Sequence, residues 1–133
     1  MATAIPDAFL DLLTRKKPLA HLATVMPDGS PQVTPVWFDY VDGAVRVNAA
    51  KDRVKARNMP VGARVALSIL DPDNAYRYIQ IRGRVRCATE AGADAHINAL
   101  TKKYRGPDAV REARPGEVRV IFEIEPTSAT TMG

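Results

Sequence analysis

The segment Asn48–Asn58, NAAKDRVKARN, places four cations at every second position with a single acid among them. These cations are Lys51, Arg53, Lys55 and Arg57. Cations spaced so evenly suit a solvated surface, a nucleic-acid contact or a cradle for the phosphate of a cofactor. The pattern by itself does not choose among the three.

Two backbone geometries are open to this basic stretch. A strand would line all four cations along one face, which is unfavourable unless they bind something. A helix, at about 100° per residue, would bring Lys51, Lys55 and Asn58 together and turn the two arginines away. The alanines of the stretch permit a helix, and Asn58 can end it. We therefore expect about two helical turns directly after a strand, with the helix N-terminus and the lysines together favouring a bound phosphate.

Composition limits the classes of protein to which the chain can belong. Its 133 residues are enough for one domain, taken as residues 1–133, with a core of ordinary apolar content. The 19 basic and 15 acidic side chains give a net charge of +4, which favours an anionic partner. Cys87 is the only cysteine, which excludes an internal disulfide and a cysteine-based metal site and makes the cytoplasm the expected location. No apolar run approaches the roughly 20 residues of a membrane span, so no membrane partner is expected.

The first half of the chain reads as a helix followed by strands and tight turns. Pro6 starts a helix that should end near Arg15–Lys17. Turn residues then separate Leu19–Val25 from Gln32–Tyr40, which predicts a β-hairpin. Pro35 requires that the second strand of this hairpin lie at a sheet edge or carry a bulge.

The second half adds a long strand, a helix and a last strand. The alternation in YRYIQIRGRVRCAT predicts the long strand, and Gly83 within it invites a bulge. A helix follows, ending at Gly106, whose apolar residues share one face: Ala93, Ile97, Leu100 and Tyr104. EVRVIFEIEP is the last strand. Because hairpin connections dominate, the expected fold is mainly β, an antiparallel sheet closed into a barrel with two or three flanking helices.

This order of elements resembles the FMN-binding split β-barrel of the pyridoxamine-phosphate-oxidase-like superfamily, with its flavin and deazaflavin reductases. Four segments covering nearly the whole chain carry the resemblance: LAHLATVMPDGSPQVTPVWFDYVDG, VRVNAAKDRVKARNM, ARVALSILDPDNAYRYIQIRGRV and FEIEP. The sequence is most similar to the actinobacterial branch that uses coenzyme F420, a deazaflavin with a phosphate and an oligoglutamate tail. It lacks the Arg-x-x-x-Leu-Lys pattern of the classical FMN-binding oxidases, so FMN is the alternative cofactor.

The resemblance implies a homodimer with a cofactor at each interface. The strand from Gln32 to Trp37 would lie along the cofactor ring, and the basic stretch would hold the phosphate. Residues at the end of the preceding strand would contact the ribityl-like chain, and the strand that begins near Arg77 would come from the partner subunit. The implied cofactor-binding residues are Gln32, Thr34, Pro35, Val36, Trp37, Asn48, Ala49, Lys51, Arg53, Lys55, Asn58, Arg77 and Tyr78.

The implied chemistry is hydride transfer from the reduced deazaflavin to an electron-poor small molecule, with the protein positioning the ring against its substrate. No pair of side chains is expected to serve as acid and base, since His21 lies in an apolar strand and His96 is expected to be solvated. Other functions stay open: an FMN-dependent oxidase or reductase of the same fold, a non-catalytic deazaflavin-binding protein, and a small nucleic-acid-binding barrel. The concentration of cations in one stretch and the lack of an RNA-binding signature argue against nucleic acid.

Overall fold

The computed structural model describes residues 3–133 as one seven-stranded antiparallel sheet with three short helices packed against it. The strands are β1 Ala20–Val25, β2 Pro31–Val36, β3 Phe38–Val41, β4 Ala44–Ala50, β5 Arg64–Leu70, β6 Tyr78–Thr89 and β7 Arg119–Met132. The helices are α1 Leu10–Thr14, which follows a 3₁₀ turn at Asp7–Phe9, α2 Val54–Arg57 and α3 Ala93–Arg105. Within the described residues, no helix is long and apolar enough to cross a membrane.

The sheet curls into a split barrel because of where β2 and β3 lie. The strand order is β2-β1-β5-β6-β7-β4-β3, so β2 and β3 are at opposite edges although only Trp37 separates them in the chain. The chain can join both edges only if the sheet curves until they meet. The expected mainly β split barrel is thus confirmed. The expected single strand Gln32–Tyr40 is wrong, since strand pairing changes at Trp37 from β1 to β4.

Inward-facing side chains of the strands fill the barrel. In β6 the buried Ile79, Ile81 and Val85 alternate with exposed residues, as the period of two predicts. Phe38 at the start of β3 and Leu12 of α1 are fully buried in the same cluster. Because each such side chain contributes about 1.5–3 kcal/mol when it leaves water, this cluster is the main source of the fold's stability.

Gly83 marks a β-bulge in the long strand, as the sequence predicts. The register of β6 against β7 shifts between Arg82 and Gly83. A Cβ atom on Gly83 would lie 2.5 Å from the carbonyl oxygen of Glu125, which is closer than any real side chain approaches. The close passage of β7 therefore requires glycine here.

The long helix is confirmed, and its apolar face packs inward. Ala93, Ile97 and Leu100 are buried, and Gly106 caps the helix through a hydrogen bond to the Lys102 carbonyl. β7, in contrast, is longer than expected and continues to Met132. It pairs with β6 from Ile121 to Met132, and these pairs stabilise residues that the sequence pattern left outside the strand.

The expected two-turn helix over the basic stretch is wrong. α2 is a single turn that begins at Val54, and Arg53 before it is extended at φ −73°, ψ 150°. The Lys51 N–H donates to the Val118 carbonyl at 2.8 Å, which prolongs the pairing of β4 with the approach to β7. Sheet hydrogen bonding thus delays the helix until after Arg53, and Lys51 and Lys55 do not share a helix face.

Candidate cofactor-binding site

A cavity of about 390 Å³ opens beside Trp37, where the chain passes from β2 to β3. Its lining includes several residues that the sequence predicts: Pro35, Val36, Trp37, Asn48 and Lys55. The remaining lining residues come from the start of β1, from α3 and from the approach to β7: Leu19, Ile97, Leu100, Arg111 and Arg119. The fold therefore brings Lys55 of the basic stretch next to residues 35–37, where the chain crosses from β2 to β3. We call these three residues the crossing segment.

A larger groove of about 660 Å³ lies on the outer face of the sheet, across β1, β5, β6 and β7. Arg64 and Arg82 line it, with small and apolar strand residues such as Ala23 and Val25. No buried polar side chain without a partner faces this groove, and it contains none of the predicted cofactor residues. The smaller cavity is therefore the better candidate for chemistry.

The aromatic wall of the smaller cavity is fixed by α3. The Trp37 ring stacks on Tyr104, with centroids 5.4 Å apart and planes 5° from parallel. The Tyr104 hydroxyl donates to the Pro18 carbonyl at 2.7 Å, and burial raises the pKa of Tyr104 to about 12. Lys103 Nζ donates to the Phe38 carbonyl at 2.7 Å. The crossing segment is thus tied to a helix rather than left as a loose connection.

The segment that leads into β7 holds three arginines around one carboxylate. Glu117, with a side chain only 4% exposed, pairs with Arg111, with Arg114 at 3.3 Å and with Arg119 at 3.8 Å. The hydrogen bond from Arg111 outweighs burial and keeps the pKa of Glu117 below its ordinary value. One negative charge thus faces three positive charges.

Lys55 adds to this excess of positive charge. Burial lowers the pKa of Lys55, and the neighbouring Arg53 and Arg119 lower it further. Burial, followed by Arg111, likewise lowers the pKa of Arg119. No carboxylate of the described chain offsets the shift on Lys55. Cations held together at a free-energy cost suit a site that an anion completes.

Asn48 links the cavity to a buried polar network. Its Oδ1 accepts a hydrogen bond from Arg119 Nε at 2.7 Å, and its Nδ2 donates to the Ala93 carbonyl at 2.9 Å and lies 3.1 Å from His96 Nδ1. The Arg119 side chain makes no other hydrogen bond within residues 3–133, although its Nη1 lies 3.8 Å from a Glu117 oxygen. Its Nη2 thus remains available to a ligand. The expected solvation of His96 is wrong, because this side chain is buried between α3 and the sheet.

Thr34 has a buried hydroxyl without a hydrogen-bond partner, the one such side-chain atom in the part of the chain that the structure describes. A buried unpaired hydroxyl is uncommon, since it costs about 1–3 kcal/mol. Thr34 belongs to β2 and directly precedes Pro35 of the cavity wall. The unpaired hydroxyl lies on the strand that supplies Pro35 and Val36 to the cavity wall, so a polar group bound along β2 would complete it.

The other cations of the basic stretch are exposed and do not line the cavity. Lys51 is 65% exposed and pairs with Glu90 at 2.9 Å. Arg53 is exposed and acts on Lys55 only through its charge. Of the cations that the sequence assigned to the phosphate, only Lys55 therefore lines the cavity.

Three further predicted residues lie in the body of the barrel. Asn58 donates to Thr24 Oγ1 at 3.0 Å, and Thr24 donates to Gln32 Oε1 at 2.9 Å, so both predicted residues tie α2 to the β1–β2 hairpin. The Ala49 side chain is buried in the apolar core. Within one subunit these side chains hold the cavity wall in place and do not line it.

Arg77 and Tyr78 also lie outside the cavity. Arg77 donates to Asp71 at 2.8 Å and to Asp11 at 2.7 Å, and both carboxylates raise its pKa, Asp11 the more strongly. Tyr78 begins β6 and pairs with Met132 and Leu70. In this subunit the charge of Arg77 is already neutralised.

Sequence reasoning missed the arginines before β7. The segment VREARPGEVRV carries Arg111, Arg114 and Arg119 with two acids, Glu112 and Glu117, between them, a smaller basic excess than that of the stretch after β4. Its Pro-Gly pair predicts a turn that could fold the run back on itself. The run was therefore visible in the sequence, but its position beside Lys55 was not.

A split barrel with this cavity defines a flavin- or deazaflavin-binding fold. The chain belongs to the pyridoxamine 5'-phosphate oxidase family, whose sequence model matches residues 5–133. No curated protein matches the sequence.

Solved structures with the same fold include proteins of several kinds. An F420 reductase is 35% identical, with a TM-score of 0.81, and the match covers 95% of this chain and 98% of that one. A conserved hypothetical protein from Mycobacterium tuberculosis is 22% identical, with a TM-score of 0.73 over 98% of this chain and 86% of that one. A heme storage protein from Vibrio cholerae is 15% identical, with a TM-score of 0.68 over 98% and 96%. The last two show the fold alone.

Proposed function

We propose that this protein is an oxidoreductase that binds coenzyme F420 and transfers a hydride from the reduced deazaflavin to an electron-poor small molecule. The observation that carries the proposal is the cavity beside Trp37, where Lys55, Arg111 and Arg119 converge with too few carboxylates to balance them. The 35% identity to an F420 reductase along nearly the whole chain supports the choice of cofactor.

The charge in the cavity favours a large anion. A phosphate carries up to two negative charges, and an oligoglutamate tail adds one carboxylate per residue. Glu117 neutralises only one of the three guanidinium groups around it, and Lys55 has no carboxylate partner among the described residues. Guanidinium groups bind phosphate and carboxylate oxygens through paired hydrogen bonds, which suits Arg111 and Arg119 to this task.

The crossing segment would hold the ring. β2 is an edge strand that pairs on one side with β1, so alternate backbone groups from Thr34 onward are free to bond to a ligand. The unpaired Thr34 hydroxyl adds one more polar group on this strand. Trp37 offers a flat apolar surface that Tyr104 keeps in position. The ring's polar edge would lie against β2.

The protein's own part in the reaction would be binding and orientation. The cofactor, when bound, supplies the hydride chemistry. The apolar side chains of Leu19, Ile97 and Leu100 would exclude water from the ring, and the cations would fix its far end. Apart from His96, whose Nε2 lies 3.2 Å from Asp39 Oδ2, the described residues around the cavity offer no histidine–carboxylate pair, so the proposed role of this chain rests on positioning.

We also propose a homodimer in which the outer face of the sheet meets its copy. Val25 and Val33 are 50% and 63% exposed on this face and flank the larger groove. β2 supplies both Val33 of that face and Pro35 of the cavity wall, so a partner on the face would border the cofactor. Val33→Glu should give a monomer by light scattering and weaken cofactor binding. A dimer that persists would place the interface elsewhere.

The test of the proposed function is a titration of the purified protein with oxidised F420 and, separately, with FMN. Trp37 is the only tryptophan and lies in the cavity wall, so its fluorescence reports binding directly. Tight binding of F420 alone is the expected result. Binding of FMN alone would make the protein an FMN-dependent oxidase or reductase, and F420 binding without turnover of any electron-poor acceptor would make it a carrier.

A further inference from the structure

Behind the cavity, four side chains form one hydrogen-bonded line. Asp39 of β3 lies 3.2 Å from His96 Nε2, His96 Nδ1 lies 3.1 Å from Asn48 Nδ2, and Asn48 Oδ1 lies 2.7 Å from Arg119 Nε. The line starts at the rim of the sheet, crosses the buried space under α3 and ends in the cavity. Its members come from three strands and a helix that are far apart in the chain.

Asn48 fixes the direction of every bond in this line. Its carbonyl oxygen must face Arg119, because a guanidinium has only donors. Its amide nitrogen then faces both the Ala93 carbonyl and His96 Nδ1. His96 Nδ1 is therefore an acceptor without a proton, and the imidazole is the neutral tautomer with its proton on Nε2.

Asp39 holds this tautomer from the other side. Its Oδ2 accepts the Nε2 proton of His96, and Arg46 donates to both carboxylate oxygens at 2.8 and 2.6 Å. Burial disfavours the charge on Asp39, but the bonds from His96 and Arg46 outweigh it and lower the pKa of Asp39 to about 2. Asp39 is therefore a permanent acceptor near neutral pH. If Nδ1 of His96 carried a proton, its N–H and the Asn48 amide N–H would be two donors facing each other.

We propose that His96 is a positioning residue for the anion site: its Nδ1 orients the Asn48 amide, and Asn48 in turn holds Nε of Arg119, whose side chain lines the cavity. This inference rests on the proposed function, because it treats the cavity as the cofactor's anion site. His96 is 5% exposed and does not line the cavity, so it acts on the ligand only through Asn48 and Arg119.

A matched pair of variants separates positioning from a merely structural role. In His96→Asn, the side-chain oxygen can replace Nδ1 as the acceptor for Asn48, and the bond to Asp39 is lost. In His96→Gln, the longer amide reaches toward Asp39, and Asn48 loses one of its two acceptors and keeps only the Ala93 carbonyl. Asparagine leaves the larger void, so His96→Asn should be the less stable of the two.

The hydrogen-bonded line from Asp39 to Arg119, here called the relay, predicts the opposite order of the two variants for F420 affinity. F420 affinity should fall about tenfold in His96→Gln, in the range of one lost buried hydrogen bond, and stay within about twofold of wild type in His96→Asn. Equal losses in both variants, or losses that follow their thermal stability, would overturn the proposal.

The tautomer is a second readout that needs no cofactor. The chain has only two histidines, and His21 is exposed on β1, so the ¹⁵N spectrum of the imidazoles is simple to assign. His96 should show a protonated Nε2 and an unprotonated Nδ1. The reverse tautomer would overturn the relay whatever the ligand is.

If wild type does not bind F420, the proposed function fails, and the affinities of the same variants for tripolyphosphate then decide the relay.

Discussion

Two clusters of charged side chains in this protein have opposite electrostatics, because carboxylates outnumber cations in one and cations outnumber carboxylates in the other. The Arg77 cluster lies between α1 and the turn before β6, and the cavity cluster lies between α2 and β7. The Arg77 cluster consists of Lys16, Arg77, Asp11, Asp71 and Asp73. The cavity cluster consists of Lys55, Arg111, Arg114, Arg119 and Glu117.

The pKa shifts of the two clusters run in opposite directions. In the Arg77 cluster the carboxylates raise the pKa values of Lys16 and Arg77, and the cations lower those of Asp11 and Asp71. In the cavity cluster burial and like charges lower the pKa values of Lys55 and Arg119. The first cluster is complete and stabilises the fold. The second holds its cations together at a free-energy cost, which the proposed anion would offset.

The largest expected effect is on stability, from Arg77→Leu. The change leaves Asp71, with a side chain only 4% exposed, and Asp11 without their shared partner, and it removes a cation that lies over the Phe9 ring. We expect the Tm to fall by roughly 5 °C or more in a thermal melt. F420 affinity of the folded variant should stay near wild type. A strong loss of affinity with intact stability would instead assign Arg77 to the cofactor, as the family resemblance implied.

The next effect is on binding, from Lys55→Met. F420 affinity should fall at least tenfold, because a charge-assisted contact contributes about 1.5–3 kcal/mol. Stability should stay level or rise, since the change removes a desolvated charge that Arg53 and Arg119 repel. Titration and urea unfolding of the same sample would show both. Unchanged affinity in the folded variant would remove Lys55 from the anion site.

The dependence of stability on pH should differ between the two clusters. The folded-state pKa values of Asp11 and Asp71 lie below their ordinary 3.8, so their stabilisation is present above about pH 4 and is lost as the pH falls through the lowered values. The folded-state pKa of Lys55 lies below its ordinary 10.5, so unfolding releases a base that takes up a proton, and stability rises as the pH increases toward 10.5.

Urea midpoints measured across pH would test this difference. In Arg77→Leu, the fall of the urea midpoint at acid pH should become shallower, and its rise toward alkaline pH should be unchanged. In Lys55→Met, the alkaline rise should become shallower, and the acid fall should be unchanged. Profiles parallel to wild type in both variants would show that neither cluster has the electrostatics described above.

The smallest expected effect is that of Lys51→Ala. Lys51 and Glu90 are 65% and 56% exposed, and such a pair contributes about 0–1 kcal/mol. Stability and F420 affinity should both stay close to wild type, which makes this variant the control for Lys55→Met on the same basic stretch. A tenfold loss of affinity would restore the undivided phosphate cradle that the sequence pattern predicted.

Local patterns predicted most of the fold. The period of two found β6, the turn at residues 27–30 found the β1–β2 hairpin, and Gly83 marked the bulge. The break at Trp37 was not predictable in this way, because it depends on which strands pair across the barrel. The same holds for α2, whose start is delayed by the bond from Lys51 to Val118.

The candidate site was predicted less completely. Trp37, Asn48 and Lys55 were assigned through a family resemblance, and the structure places them in one cavity. Arg119 and His96 were missed, since an arginine in a strand and a histidine beside an apolar helix face have no distinctive local pattern. Both became candidates only when β4, β7 and α3 brought them to Asn48.

The sequence by itself determined the strands, the turns, the long helix and the excess of positive charge, because each depends on side chains near one another in the chain. The tertiary structure decided which cations have a carboxylate partner and which do not. Arg77 meets Asp11 across 66 positions of sequence and Lys16 meets Asp71 across 55, whereas Lys55 meets no carboxylate within residues 3–133. Charge is a property of composition, but its neutralisation depends on distance, and only the folded barrel sets those distances.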